Sequence, residues 1–391
     1  MVRARVRLGS QVASPDTHAP VTTLELFFDL VFVLVVTQLT DLVLTSDGPA
    51  GYLQALLVLW VVWWMYDGFA WLANNVAPTT TSTRLPMLVA MAGFLVIAIA
   101  VPEAFGADRW LFAAAYLLTG LVHSISFLRS TLGTSSRAIM SIAPINLAIC
   151  ACLFLAAALP ERWRWVGWVL AAALPVVSFL RGVEGGFTLR PAHFAERHRL
   201  MLIIALGESV LAIGTSAGGH LREVHYLGAV LLSVVLIAML WWVHFADDAS
   251  LERVEEVVER PEGMSGRTAL IAFSLGYLVL VAGLILVAAG LHEAVRDPTR
   301  RLDARAAFTM AAGAATYLVG NVAYLARLGI GGRRWFAVTA VLAVLVAPVG
   351  MVATGTALVA TLSVVLGLAL VPVVRDQRSR AAMPEAPTTS G

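Results

Sequence analysis

Apolar runs long enough to cross a lipid bilayer recur along the whole chain. A spanning helix takes roughly 20 mostly apolar residues, and apolar residues make up 59% of this sequence, charged residues only 13%, with a mean hydropathy of +0.82. Such a composition is far from that of water-soluble domains. The twelve runs begin near Leu24, Tyr52, Leu85, Trp110, Ala138, Trp163, Leu200, Tyr226, Thr268, Ala306, Trp335 and Ala357. We therefore predict an all-α polytopic membrane protein with about 12 transmembrane helices and the lipid bilayer as its solvent.

Arginine placement predicts the orientation of these runs. The chain has 27 basic residues and no Lys, and cytoplasmic loops retain basic residues. With the N-terminus inside, nineteen of the 27 Arg fall in cytoplasmic segments. The loop between the ninth and tenth runs is the exception. Both termini are therefore predicted to be cytoplasmic. The number of helices after Arg334 stays open, because the apolar tract from Arg334 to Val374 has only weak breaks.

Four matched pairs of residues in the same order predict an internal duplication. The pairs are Trp63 with Trp241, Asp29 with Glu208, Arg84 with Arg267, and His123 with Asn321. An even number of helices in each half makes the two six-helix repeats parallel in the membrane. The alternative is that Leu-, Val- and Ala-rich helices align with many sequences.

The duplication gives five predicted segments. These are a disordered cytoplasmic leader (1–20), a first repeat (21–181), a cytoplasmic linker (182–199), a second repeat (200–374) and a disordered cytoplasmic tail (375–391).

Carboxylates lie inside two of the apolar runs. Glu25 and Asp29 are four residues apart and share one helix face. At about 1.5 Å per residue, Asp29 lies roughly 7 Å into its run and Glu208 roughly 12 Å into the seventh. A charge deep in the bilayer costs about 2.5 kcal/mol or more, so such residues normally line a pathway or find a partner. The candidates for an ion or proton path are Glu25, Asp29, Thr37, His123, Glu208 and Asn321.

Structural roles are the alternatives for these residues. Glu25 suits an acid at a helix N-terminus, where the helix dipole favours negative charge. Asp29 and Glu208 could be buried acids that bond to neighbouring helices, and His123 could serve packing alone.

A cytoplasmic charge cluster precedes the seventh run, formed by Glu196, Arg197, His198 and Arg199. Its first interpretation is an anchor that follows the positive-inside rule. The alternative is an ion pair from Glu196 or Arg197 to the acids of the first repeat. Farther on, residues 247–262 have the pattern of a short acidic amphipathic helix.

Several function classes lack their sequence patterns here. The chain has no phosphate-binding loop, no zinc-protease motif and no nucleophile elbow. Its two cysteines, Cys150 and Cys152, lie two apart on a helix and predict neither a disulfide nor a metal site. A net charge of +2 does not favour nucleic acid. We expect no cofactor, no metal site and no catalytic residue, and the oligomeric state stays open.

Two motifs carry a family resemblance. “TLELFFDLVFVLVVTQL” (Thr23–Leu39) and “HFAERHRLMLIIALGESVLAIG” (His193–Gly214) resemble the bacterial low-temperature-requirement A (LtrA) family over about residues 21–374. The resemblance implies a multi-pass protein of the bacterial cytoplasmic membrane, linked to growth in the cold and without an established biochemical activity. The family often has His early in the ninth helix and late in the tenth, where this chain has Tyr277 and Asn321. A mechanism that needs both imidazoles is therefore not expected.

The first helix is also similar to that of potassium channels with a Phe-Ser-Asp motif, which share the six-plus-six layout. The matching residues are Phe27, Asp29, Val31, Phe32 and Thr37. Phe28 replaces the Ser of the motif, and the second half departs further, with Glu208 in place of Asp. The resemblance implies that the first and seventh helices line a path, with Leu34 and Ile213 as apolar constrictions.

Three functional hypotheses follow. The leading one is a channel or carrier in which Asp29 and Glu208 face a central seam and bind a cation or a proton. The second is an enzyme acting on a lipid, with Glu208, His123 or His198 as acid or base. The third is a structural or regulatory factor in cold adaptation that performs no chemistry.

Overall fold

The chain folds into helices joined by short connections. The structure is a computed structural model that describes residues 21–46, 48–130, 135–181, 190–218, 220, 222–245, 266–330 and 333–381, and no strand occurs among them. The helices are α1 (Thr23–Thr45), α2 (Pro49–Asn75), α3 (Thr81–Ala100), α4 (Arg109–Ser130), α5 (Ser135–Ala158), α6 (Arg164–Arg181), α7 (Pro191–Ser216), α8 (Val224–Phe245), α9 (Gly276–Arg296), α10 (Ala304–Leu328), α11 (Arg333–Leu345) and α12 (Gly355–Ala381).

Four shorter elements complete the described helices. A 3₁₀ turn, Glu161–Trp163, precedes α6, and a short helix, Pro348–Val352, separates α11 from α12. A turn of α-helix, Gly266–Ala269, leads into the π-helical segment Leu270–Leu275, which continues directly into α9.

Ten of the described helical segments are long and apolar enough to cross a membrane. Large apolar side chains also stay exposed on their outer faces, for example Leu211 on α7, Val338 on α11 and Leu368 on α12. A water-soluble protein would bury most of these side chains, whereas lipid is a favourable environment for them. The predicted polytopic all-α membrane fold is confirmed.

Two helix boundaries differ from the predicted segments. α7 begins at Pro191, inside the predicted linker 182–199, and α12 continues to Ala381, beyond residue 374. An apolar run stops where charged residues begin, but the helix continues through the charged residues. In α7 this is possible because its polar residues pack inside the protein. Proline is favoured at a first helical position, since its missing N–H would have no partner there. The predicted leader and amphipathic helix lie outside the described residues.

Contacts divide the chain into two compact units, and unit 1 consists of Met1–Val35 and Trp60–Arg197. Within it α3 packs against α4, α4 against α5 and α5 against α6. α2 bonds to three of these helices. Its bonds run from Trp60 Nε1 to the Ala172 carbonyl (2.9 Å), from Trp64 Nε1 to Asn146 Oδ1 (2.8 Å), and from the Tyr116 hydroxyl to the Val61 carbonyl (3.1 Å).

Unit 2 consists of Val36–Leu59 and His198–Gly391. Within it α9 packs against α10, α10 against α11 and α8 against α12. The contact between α9 and α10 is close, because a Cβ added at Gly283 would lie 2.5 Å from the Tyr317 nitrogen, and one at Gly313 would lie 2.5 Å from the Val287 nitrogen. Glycine at these positions lets the two backbones touch.

The segment Val36–Leu59 falls in the first predicted repeat but belongs to unit 2. The Arg305 guanidinium explains this placement, since it donates to the carbonyls of Val43, Leu44 and Ser46 at the end of α1. These carbonyls have no partner inside the helix. A hydrogen bond of 2.6 Å between the hydroxyls of Tyr52 and Thr309 adds a second tie to α10. The six-plus-six duplication itself stays a prediction.

Candidate functional site

A buried cluster of ionisable side chains lies in unit 1, where the first turns of α1 and α7 meet. Glu25 and Asp29 come from α1, and His193 and Arg197 come from α7. Both pairs have a spacing of four residues, so each pair lies on one face of its helix. The acids of α1 therefore face the basic residues of α7 one turn at a time. We call these four residues the ionic cluster.

Glu25 lies at the outer end of the ionic cluster and is fully buried. Its Oε2 accepts hydrogen bonds of 2.7 Å from both the backbone nitrogen and the hydroxyl of Thr22. Its Oε1 lies 3.4 Å from Nε2 of His193 and 3.8 Å from Nη1 of Arg197. One carboxylate oxygen is thus held by the start of the helix, and the other faces the two basic side chains.

Asp29 and Arg197 form the inner pair. Nη2 of Arg197 donates to Oδ1 of Asp29 at 3.1 Å, and the Tyr66 hydroxyl donates to the same oxygen at 2.9 Å. Nη1 of Arg197 also donates to the backbone carbonyl of Phe69 at 3.3 Å. The guanidinium carbon lies 5.6 Å from the ring centre of Phe28 and 5.8 Å from that of Tyr66. The cation is held by one carboxylate, one carbonyl and two aromatic faces.

The charges of the ionic cluster do not balance without a proton. Two ionised carboxylates face one guanidinium, which leaves one formal negative charge when His193 is neutral. A proton on His193 or on a carboxyl group brings the sum to zero. Because Glu25 and Arg197 are fully buried, and an unbalanced buried charge costs several kcal/mol, the cluster requires either a proton or a second positive charge nearby, and the neighbouring Arg190 guanidinium interacts with Glu25 in this way.

A clamp ties the segment before α7 to the end of α2, next to the ionic cluster. Asn74 Nδ2 donates to the Arg190 carbonyl at 2.8 Å, and the Arg190 nitrogen donates to Asn74 Oδ1 at 2.9 Å. The Arg190 guanidinium also donates to the carbonyls of Asn74 and Ala73. Burial lowers the pKa of Arg190, whereas Glu25 opposes the shift. The clamp fixes where α7 begins, and so where His193 and Arg197 lie.

A second polar cluster lies in unit 2 and centres on His244 of α8. Its Nδ1 lies 2.8 Å from Oδ1 of Asn321 on α10, and its Nε2 lies 2.9 Å from the Tyr277 hydroxyl on α9. We call these three residues the histidine network. Asn321 and Tyr277 are therefore both bonded to the imidazole of His244.

The remaining path candidates lie elsewhere. Glu208, in unit 2, is partly exposed and forms no hydrogen bond or ion pair within the part of the chain that the structure describes. Thr37, also in unit 2, is partly exposed. His123 belongs to unit 1, where its ring packs on Phe69 and Phe127 with centroids 5.2 and 5.1 Å apart. Phe69 supplies the carbonyl that Arg197 binds, so His123 lies one ring away from the ionic cluster.

The predicted charge cluster before the seventh run is divided by the fold. Arg197 and His198 are fully buried, whereas Glu196 and Arg199 are only partly so. His198 packs on Phe273 and Tyr277, and the Arg199 guanidinium lies 5.0 Å from the ring centre of Phe245. Arg197 forms the alternative ion pair with the acids of α1. Because Arg197 is fully buried, it does not serve as an anchor at the membrane surface.

One member of the ionic cluster, His193, and one residue bonded to it, Tyr66, were not among the predicted site residues. His193 lies four residues before Arg197, and the same spacing separates Glu25 from Asp29. This equal spacing could have indicated that His193 faces the acids of α1 together with Arg197. Tyr66 follows Trp63 and Trp64 in the sequence and had no predicted role. Its hydroxyl is instead used inside unit 1, where a buried tyrosine needs a hydrogen-bond partner.

Metal ligation has no support in the described residues. No group of three or more His, Cys, Asp or Glu side chains among them is placed to hold a metal ion. The ionic cluster has only two carboxylates and one imidazole, and the Arg197 cation fills the space between them.

The helices and the two buried clusters define a polytopic all-α membrane protein with ionisable groups inside its helical units. Residues 20–371 match the family described as bacterial low temperature requirement A protein (LtrA), and the chain belongs to that family. It is also 29% identical over 313 residues to the uncharacterized protein RA0937 of Rhizobium meliloti (strain 1021). That match covers 76% of this chain and 75% of the relative.

Proposed function

We propose that this protein moves protons across the bacterial cytoplasmic membrane and that the ionic cluster is the group that binds them. The observation that carries the proposal is the charge sum of four buried side chains, in which two acids face one permanent cation. Without the partly buried Arg190 beside them, these four side chains are one proton short of neutrality. A group that gains and loses one proton at low cost inside a membrane is what proton transport requires.

A proton suits the ionic cluster better than a metal cation. Arg197 keeps its positive charge at every physiological pH, and it contacts both acids. A sodium or potassium ion at the same place would have to displace the guanidinium or share the carboxylates with it. A proton needs no such space, since it binds to one oxygen or to one ring nitrogen.

Glu25 and His193 are the expected carriers. Asp29 is held by Arg197 and Tyr66 together, whereas the Oε1 atom of Glu25 faces His193 at 3.4 Å. By the arginine distribution, this end of α1 lies on the cytoplasmic side, within reach of protons there. Glu208, Thr37, His123 and Asn321 remain proposed members of the path, and convergence of Asp29 with Glu208 stays a prediction.

The test is proton flux into liposomes that contain the purified full chain and a trapped pH-sensitive dye. A potassium gradient with valinomycin sets the membrane potential. We expect acidification with the wild type and a rate equal to that of protein-free liposomes with Glu25→Gln. This substitution keeps the side-chain shape and removes the titrating carboxyl.

The matched control is Glu223→Gln. Glu223 is exposed, and within the described residues it forms an ion pair with the exposed His225, so its neutralisation should leave the flux unchanged. Proton flux that survives Glu25→Gln, or a wild type that conducts sodium or potassium and not protons, would refute the proposal.

A structural role is the second candidate, and the inner pair favours it. The Arg197 guanidinium already has a carboxylate, a carbonyl and two aromatic faces as partners, as expected of a fixed strut between α1 and α7. Under this reading, folded Glu25→Gln protein would support growth in the cold as well as the wild type does. The transport proposal expects it to fail.

A further inference from the structure

The histidine network in unit 2 allows the proton positions on its groups to be assigned. Nδ2 of Asn321 donates to the Tyr317 carbonyl at 3.0 Å. A carbonyl oxygen can only accept, so the NH₂ side of the amide must face Tyr317 and Oδ1 must face His244. Oδ1 is also only an acceptor, and therefore Nδ1 of His244 carries a hydrogen.

The second ring nitrogen of His244 is then the one that can accept. In a neutral imidazole with hydrogen on Nδ1, the lone pair is on Nε2, and the Tyr277 hydroxyl lies 2.9 Å from that atom. The hydroxyl therefore donates to Nε2. Asn321 fixes the tautomer of His244, and the Tyr277 hydroxyl is bonded to Nε2, the atom at which a proton can be added.

Burial of His244 disfavours a charge on its ring, so the contacts of the ring matter. Three aromatic rings lie against the imidazole, with centroid distances of 4.9 Å to Phe245, 5.2 Å to Tyr277 and 5.3 Å to Tyr324. Both hydrogen bonds also survive protonation, since Asn321 still accepts from Nδ1 and the Tyr277 oxygen can accept from Nε2 once its own hydrogen turns away.

We infer that His244 is a second proton-binding site of the chain, which takes up a proton at Nε2 through the Tyr277 hydroxyl. A proton that reaches the oxygen of the buried Tyr277 bonds to it while the original O–H bond breaks. The released proton bonds to the lone pair of Nε2, so Tyr277 ends neutral and His244 ends as an imidazolium. The amide oxygen of Asn321 is a poor base, so the proton returns by the same route.

The other groups around His244 set the balance. Arg199 of α7 carries a permanent positive charge near His244, with its guanidinium 5.0 Å from the ring centre of Phe245. Tyr277 has Tyr324 and Tyr317 of α10 as neighbouring hydroxyl groups, and His198 of α7 packs on its ring. Only Arg199 among these carries a permanent charge, so its removal should raise the proton affinity of His244.

The experiment is a nitrogen NMR titration of the full chain in lipid nanodiscs, with ¹⁵N-labelled histidine. The His244 signals are identified by their loss in His244→Gln. In the wild type at alkaline pH we expect hydrogen on Nδ1 and none on Nε2, and acidification should add one to Nε2.

Two variants test the assignment. Asn321→Leu should lose the single tautomer and lower the midpoint by about 0.7 pH unit, a roughly fivefold loss of proton affinity, because the imidazolium loses its charge-assisted bond. Arg199→Gln should raise the midpoint.

The wild-type spectrum alone can overturn the inference, whether or not the variants fold. Hydrogen on Nε2 at alkaline pH would do so, as would a His244 that gains no proton before the helical circular dichroism is lost. The inference does not rest on the transport proposal, since protonation of His244 is measured without flux.

Discussion

The ionic cluster of unit 1 and the histidine network of unit 2 are two ways of keeping polar side chains inside a membrane protein. The first uses full charges that nearly cancel, with Arg197 set against Glu25 and Asp29. The second uses neutral groups whose donors and acceptors match one for one around His244. The difference shows that burial demands satisfied partners, and that charge is only one means of supplying them.

One hydrogen-bonding residue from each of these two regions occupies a matching sequence position, so the two can be compared directly. Tyr66 and His244 lie 178 residues apart, the offset that separates Trp63 from Trp241. In unit 1 this place supplies a hydroxyl to a carboxylate, and in unit 2 it supplies an imidazole to an amide and a phenol. If the predicted duplication holds, one ancestral position has taken on two kinds of chemistry.

The largest expected effect comes from removing the cation of the ionic cluster. Arg197→Met leaves Glu25 and Asp29 buried without a countercharge, and we expect a loss of about 3–5 kcal/mol in the free energy of unfolding. Denaturant titration in detergent micelles, followed by circular dichroism, measures it. The double variant Arg197→Met with Asp29→Leu should recover part of the loss. A double variant less stable than the single one would break the comparison, since the two residues would then contribute independently.

A matched pair of Tyr→Phe substitutions is expected to have the next largest effects. Tyr66→Phe removes a hydrogen bond to a carboxylate and should cost about 1.5–3 kcal/mol, whereas Tyr277→Phe removes one to a neutral imidazole and should cost about 1 kcal/mol. Both substitutions remove one hydroxyl group from a fully buried tyrosine, so the change in side-chain volume is the same. Unfolding measured under one condition compares them directly, and equal losses would mean that the charge on Asp29 adds nothing.

Packing between α9 and α10 gives a prediction independent of polar groups. Gly283→Ala places a methyl group against the Tyr317 backbone, where it would lie 2.5 Å from the nitrogen, and should cost about 1–3 kcal/mol through the separation of the helices. Gly228→Ala is the matched control, because a Cβ there meets no atom within 4 Å. Thermal unfolding of the two variants in detergent checks the difference. A neutral Gly283→Ala would show that unit 2 does not depend on this close contact.

The smallest expected effect lies at the surface. Glu223→Gln breaks the exposed pair with His225, and the unfolding free energy should change by less than about 0.5 kcal/mol. The same unfolding assay applies. A loss comparable to that of Tyr66→Phe would show that burial is not what separates the ionic cluster from ordinary ion pairs.

Hydropathy was sufficient to predict the helices, because a bilayer requires apolar segments of a fixed length. Hydropathy placed the start of α7 too late in the sequence. Polar residues that bind charged partners inside the protein have the same low hydropathy as residues that face water. His193 and Arg197 are therefore polar in sequence and buried in structure.

The partners of the buried side chains could be predicted only in part. The spacing of Glu25 and Asp29 indicated a shared face, and Arg197 was named as a possible partner. Nothing in the sequence indicated that Tyr66 would reach Asp29, or that His244 would join Tyr277 and Asn321. Those contacts depend on how α2 packs on α1 and how α8 packs on α9 and α10, which no local pattern specifies.

The π-helical segment Leu270–Leu275 determines the direction in which Tyr277 points. Its wider turns contain more residues per turn than an α-helix, so each residue turns the chain by less than the roughly 100° of an α-helix. Winding the same six residues as ordinary α-helix would therefore point the phenol away from the imidazole. The orientation of one side chain is thus stored in the winding of the backbone two residues before it.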